Sequence, residues 1–288
     1  MRHSIPYFLL CFIFCFTARP GFVVQRSTTI PTGNYPQSNY LLLTGEVSTN
    51  NTIFGKIMVY DKDGVYKTNF VTSDTLTLRK PLLLSNLSDR LRIVVIGFDT
   101  KNYTTNNDYP IIATFDILKS NNTITNFTVV KRFPAFNSFG FNDFEAVANG
   151  FAVRGSDGYG TLLIGRLDMN YNPVWLKTFQ YNNEKTSVNS GCMTTDGNNI
   201  ILAGTAEDPS KGTPSGGGKW RSGFVAVFDG TTGNIIWQKI YSNLSKEDDH
   251  FLNLKYIDNK IVIGGSTRGS SGWKNHKSWL FQIDKSNL

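Results

Sequence analysis

Short apolar runs alternate along this chain with clusters of Gly, Asn, Asp and Ser, and within the runs the apolar residues recur with period two. Period two marks a strand with one face buried, whereas a helix repeats near 3.6, and no segment sustains apolar spacing at three and four. One motif of alternating apolar residues ending in Asp occurs five times: IMVYD to Asp61, IIATFD to Asp116, LLIGRLD to Asp168, FVAVFD to Asp229 and WLFQID to Asp284. The intervals are 55, 52, 61 and 55 residues. A second strand-like run follows the first four: VYKTNF, ITNFTVV, VWLKTF and IIWQKIY. A glycine-bearing strand precedes all five: YLLLTGEV, RIVVIGFD, FAVRGSD, IILAGTAE and KIVIGGST. Before the last four of these stands one more, in DTLTLRKPLLL, FNDFEAVAN, TSVNSGCMTT and HFLNLKYID.

Four short strands per unit of about 50 residues is the arithmetic of propeller blades. The expected fold is therefore all-β: a single β-propeller of about five four-stranded blades. The last unit stops at WLFQIDKSNL, after its third strand, and GFVVQRSTTI near the start stands without a blade of its own. Pairing that N-terminal strand beside the last unit would close the ring and cover an exposed sheet edge. The inner strand of the first blade then falls at residues 30–39, where Pro31 and Pro36 make a poor central strand.

The apolar run from Tyr7 to Phe16 follows Arg2 and precedes Thr17-Ala18. It is too short to cross a bilayer and has the length of a signal-peptide core. Residues 1–18 read as a signal peptide and 19–288 as the propeller domain, with no later run long enough to span a membrane. The expected location is extracellular. Cys11 and Cys15 lie in the leader, which leaves Cys192 alone, so a large core rather than disulfides must hold the fold. Cys192, in SGCMTT with no obvious base nearby, reads as a small buried hydrophobe. Asn50, Asn86, Asn102, Asn121, Asn126 and Asn243 begin N-x-S/T triplets, which would mark surface in a eukaryotic secretory pathway.

The formal charge is +7, and removing residues 1–18 takes away Arg2 and leaves +6. The excess is spread out, with no basic stripe of the kind a nucleic-acid binder shows. Acidic glycans or lipid head groups are candidate partners for such a charge.

The stretch from TTDGNNIILAGTAED through GFVAVFDGTTGNIIWQKIY to SWLFQIDKSN resembles the secreted repeat β-propeller families, bacterial-type and PQQ-like. Their units read roughly as acidic residue, strand, D-G-G, strand, A-G, loop, W-L-x-K-L-D, G-N, W-x-K. The resemblance covers residues 140–288 well and 40–139 loosely. FDGTTGNIIW is also similar to the tryptophan-docking motif of quinoprotein propellers, through Asp229, Thr232, Gly233 and Trp237, with Asp168 and Trp175 echoing it. The cofactor-binding residues of those proteins are not found, so the resemblance implies structure only and no cofactor.

Chemistry is sparse. No G-x-S-x-G elbow, phosphate loop or H-E-x-x-H occurs. His250 and His276 are the histidines beyond the leader, too few for a tri-histidine metal site. The recurrent Asp residues read as turn-fixing groups; DKDG at residues 61–64 resembles a calcium loop without its downstream Glu. Trp175 and Trp237 read as interblade packing.

Position carries more. In a propeller the loop between the second and third strands opens on the same face as the link between blades. In the last two blades these loops are long and alike, DPSKGTPSGGGKWRSG and TRGSSGWKNHKS, and the link between them is SNLSKEDDHF. Lys219, Trp220, Arg221, Trp273, Lys274 and His276 are therefore expected to converge with Asp248, Asp249 and His250. Exposed Trp residues among basic groups suit a carbohydrate or a protein ligand. The rival is a glycoside hydrolase or lyase with two channel carboxylates drawn from Asp74, Asp143, Glu145, Asp248 and Asp249.

Overall fold

The computed structural model describes residues 22–29, 40–49, 52–61, 63–99, 109–136, 139–157, 160–181, 186–211, 220–241, 248–268 and 276–287. They form five antiparallel sheets in chain order. Blade one is β1 (Phe22–Thr29), β2 (Tyr40–Thr49), β3 (Thr52–Asp61) and β4 (Tyr66–Val71). Blade two is β5 (Leu76–Asn86), β6 (Arg90–Asp99), β7 (Tyr109–Leu118) and β8 (Ile124–Arg132). Blade three is β9 (Gly140–Val147), β10 (Gly150–Ser156), β11 (Leu162–Leu167) and β12 (Pro173–Phe179). Blade four is β13 (Thr186–Thr195), β14 (Asn199–Glu207), β15 (Arg221–Asp229) and β16 (Ile235–Tyr241). Blade five is β17 (Asp248–Ile257), β18 (Lys260–Arg268) and β19 (His276–Asp284). The first strands touch in succession, β1 to β5 to β9 to β13 to β17.

The N-terminal strand is not where the period predicts. It pairs with β2, from Phe22 opposite Val47 to Thr29 opposite Leu41, and so is the inner strand of blade one. Blade five has three strands among the described residues. The physical reason is in the alternatives: FVVQRSTT is free of proline, while Pro31 and Pro36 lack the N–H groups that an inner ladder needs. Residues 30–39 lie outside the described residues.

The second strands explain why apolar runs replace clean alternation there. In β6, Ile93 and Val95 pack into a cluster shared with blade one, while Val94 and Ile96 pack into one shared with blade three. In β14, Leu202 faces blade three, and Ile201 and Ala203 face blade five. Both sheet faces are interblade core, so both must be apolar. The outer strands β4 and β8 have one wet face and do alternate.

Three of the five recurrent Asp residues fix hairpins as expected. Asp61 accepts the N–H groups of Asp63 and Val65 at 2.9 Å each, Asp168 those of Asn170 and Asn172 at 2.8 Å, and Asp229 those of Thr231 at 2.9 Å and Thr232 at 2.6 Å. Asp116 differs, because β7 runs on to Leu118 and leaves it inside the strand. There it is buried and accepts Arg92 Nε at 3.0 Å, Arg92 Nη2 at 3.2 Å and Asn126 Nδ2 at 3.0 Å. Asp284 lies 4.0 Å from Lys260.

Trp175 packs between blades, as its position suggests. It is buried, stacks on Phe228 with ring centroids 6.5 Å apart and donates from Nε1 to the Gly230 carbonyl at 3.0 Å. Gly233, at φ +68°, lies against its ring, where a Cβ would come within 2.5 Å. Trp237 packs on the cluster between blades four and five, as does half-buried Cys192. Asn121 and Asn126 are exposed and Asn86 is half-buried, while Asn50, Asn102 and Asn243 lie outside the described residues. No described helix is long and apolar enough to cross a membrane.

Candidate functional site

The stem of the β14–β15 connection is tied down before it opens. The Asp208 N–H donates to the Trp220 carbonyl at 2.7 Å, and its carboxylate accepts Ser210 N–H at 3.0 Å and the Ser222 hydroxyl at 2.6 Å. A single 3-10 turn, Pro209–Lys211, then directs Lys211 inward. Its ammonium is fully buried and reaches blade five, donating to Asp249 Oδ2 at 2.8 Å and back to the Arg221 carbonyl at 3.0 Å. The other oxygen of Asp249 accepts the Thr267 hydroxyl at 2.8 Å, and that hydroxyl accepts Trp279 Nε1 at 3.2 Å. A buried ion pair holds its geometry when further hydrogen bonds satisfy both partners, and this one is so supplied. Asp248 Oδ1 accepts the Arg221 N–H at 2.9 Å, a second tie between the same blades.

Asp248 and Asp249 therefore brace the rim rather than line a free acidic site. Arg221 is drawn to them through its backbone. The strand registers set out the rim in order: Asp248 opposite Arg268, and Arg268 opposite His276. His250 follows on β17, with Nδ1 3.5 Å from Thr205 Oγ1. Trp220 is half-buried rather than fully exposed, and its indole N–H is shielded with no acceptor among the described residues. Lys219, Trp273 and Lys274 lie outside the described residues, and for His276 the backbone alone is described. Sequence reasoning passed over Lys211 and Lys277. The first looked like an ordinary loop lysine, although its spacing of three from Asp208 was a readable turn signal; the second stands just past the tryptophan loop.

Two of the other carboxylates, Asp143 and Glu145, lie where the first strands of blades two to five meet. Lys80 on β5 lies 2.7 Å from Asp143 Oδ1 and 3.5 Å from Glu145 Oε1, both on β9. Asp143 is buried and also accepts the N–H groups of Met193 at 3.1 Å and Phe144 at 3.0 Å. Its oxygens thus hold β5, β9 and β13 together. Glu145 accepts the Thr194 hydroxyl at 3.3 Å and faces Lys255 of β17 at 4.0 Å. Burial pushes its pKa up, opposed by the Lys80 charge and reinforced by Asp143. Asp74 stands apart, exposed and 3.7 Å from Arg132. Of the five carboxylates considered for catalysis, Asp143 and Glu145 come together, linked by one ammonium. Among the described residues no group of three or more His, Cys, Asp or Glu is placed to hold a metal ion.

No protein-family model matches this chain, and no curated protein sequence does. Among solved structures it is similar to an α-L-arabinofuranosidase from Fusarium graminearum, at 9% identity over 90% of this chain and 76% of that one, with a TM-score of 0.48. It is similar also to the WD40 domain of Pan2 from Neurospora crassa, at 10% identity over 91% and 86% with a TM-score of 0.44. A mannose phosphorylase from Leishmania mexicana is a third, at 12% identity over 93% and 86% with a TM-score of 0.42. These likenesses concern the fold alone. By the order and pairing of its sheets, the chain is an all-β propeller of five blades.

Proposed function

We propose that this is a secreted binding propeller whose ligand, a carbohydrate, engages the rim of blades four and five. The observation that carries the reading is the double tie beneath that rim: Lys211 to Asp249, and Asp248 to the Arg221 N–H. Binding sites gain affinity from a preorganised base, because less freedom is lost on association. Here the base sits directly under the segment that carries Trp220 and Arg221, the residue types that most often anchor a ligand. Residues 1–18 serve as the export signal, and intact-mass analysis of the secreted protein is expected to find an N-terminus at Arg19.

The test is a glycan array probed with the mature protein and with Trp220→Ala. The wild type is expected to bind a defined set of glycans, and the variant to lose about tenfold or more, the scale of an anchor residue. Retention of glycan binding by Trp220→Ala would remove this rim as the site. Binding to protein ligands with no glycan signal would replace carbohydrate by protein.

The hydrolase reading has one observation in its favour, the raised pKa of Glu145 beside Asp143, as a general acid requires. Against it, Asp143 is committed to Lys80 and to two backbone N–H groups and offers no open carboxylate for a nucleophile or base. The binding reading is therefore preferred.

A further inference from the structure

Most described cations of this protein are answered by a partner. Lys67 pairs with Asp61, Lys80 with Asp143, Arg92 with Asp116, Arg132 with Asp99 and Lys285 with Asp196. Arg166 and Lys177 donate to carbonyl groups, and Lys239 lies over the Tyr241 ring. The side chains of Arg221 and Lys277 differ: among the described residues neither makes an ion pair, a hydrogen bond or a ring contact. One opens β15 and the other follows the first residue of β19, so both stand at the rim of blades four and five. The surrounding sequence has the same bias. Residues 209–228 contain Lys211, Lys219 and Arg221 with no Asp or Glu, and residues 268–283 contain Arg268, Lys274 and Lys277 with none. The described acids near them are engaged: Asp208 by Ser210 and Ser222, Asp249 by Lys211 and Thr267, and Asp248 by the Arg221 N–H. Glu207, which stands opposite Arg221 in the β14–β15 register, is not free either.

Resting on the carbohydrate reading above, we infer that this rim selects anionic saccharides, those bearing carboxylate or sulfate groups, with Arg221 and Lys277 as the residues that read the charge. An unpaired guanidinium is a ready fork for a planar carboxylate or a sulfate. A surface that keeps its cations free while pairing them elsewhere raises the local concentration of anionic ligands. Trp220, adjacent to Arg221, supplies the apolar face that a pyranose ring packs on and a bare phosphate does not need.

Matched probes separate this inference from the reading beneath it. The mature protein is titrated with polygalacturonate and its methyl ester, with heparin and its desulfated form, and with single-stranded DNA, at low and at 0.5 M salt. Expected is binding to one charged member of a pair at least about tenfold tighter than to its neutral counterpart, the scale of a charged hydrogen bond. Arg221→Ala combined with Lys277→Ala is expected to remove that preference, Arg221→Lys to restore part of it, and salt to weaken it. Equal binding of charged and neutral members, lost in Trp220→Ala, would overturn the anionic preference and leave the carbohydrate reading intact. No binding to any saccharide would overturn both. Equal affinity for DNA and the charged glycans would show a general polyanion effect and overturn the inference. Thermal melts of each variant check that the fold is kept, since among the described residues the Arg221 and Lys277 side chains make no ion pair or hydrogen bond.

Discussion

At neutral pH the carboxylate of Glu145 shares the Lys80 ammonium with Asp143 and faces Lys255, yet burial outweighs both cations and its pKa is raised. The folded state therefore holds this proton more tightly than the unfolded chain. Its contribution to stability is complete below the unfolded value and is lost as pH rises through the folded one. Glu145→Gln is expected to melt at a higher temperature than the wild type at pH 7, with the gap closing below about pH 4. A lower melting temperature at pH 7 would contradict this balance. Asp116 has the opposite sign: hydrogen bonds from Arg92 hold it down at about 2. Its contribution is present above the unfolded value and is lost as pH falls from about 4 toward 2. Asp116→Asn is expected to cost about 1.5–3 kcal/mol at pH 7, the scale of hydrogen bonds to a charged group, and little at pH 2; denaturant melts at both pH values check it. Neither role was legible beforehand. The sequence offers Glu145 as a candidate catalytic carboxylate and Asp116 as one more turn residue, because a repeat shows equivalent positions and not which of them stays inside its strand.

The strands themselves were legible, and for a physical reason. Each one carries its own period, and the loops between them are rich in residues that turn the chain. The predicted inner segments of blades two to five coincide with β5, β9, β13 and β17. What local pattern does not encode is the neighbour a strand chooses, and β1 shows it: FVVQRSTT would satisfy either edge by composition but lies against β2. The long aromatic-basic loops were legible as candidates, while the brace beneath them was not, because it joins Lys211 to Asp249 across 38 residues. That brace makes a prediction at this scale. Lys211→Ala leaves Asp249 buried without its cation and is expected to cost about 3–5 kcal/mol, whereas Lys211→Met with Asp249→Leu recovers much of the loss. Equal stability of the single variant and the wild type would show that the pair is dispensable. Gly233→Ala is expected to destabilise by about 1–3 kcal/mol, since the methyl would enter the Trp175 ring at a left-handed backbone position. Chemical denaturation reads all three.

For the molecule as a whole, cohesion runs from blade to blade. Core clusters join blades one to two, two to three, three to four and four to five, and among the described residues none joins five to one. Local stability follows buried apolar contact, so amides of β2 and β18 are expected to exchange faster than those of β10 and β14 at the centre of the series. The proposed binding rim lies over the core cluster that joins blades four and five, which suits a surface that must keep its shape. The direct test of binding at this rim is hydrogen–deuterium exchange of the mature protein alone and with heparin and polygalacturonate, each at saturation. New protection is expected to be confined to the rim, at residues 220–223, 248–250 and 266–278, with the 1–2 and 3–4 hairpins unchanged. Protection on the hairpin face, or at the Lys80–Glu145 cluster with the rim unaffected, would contradict it.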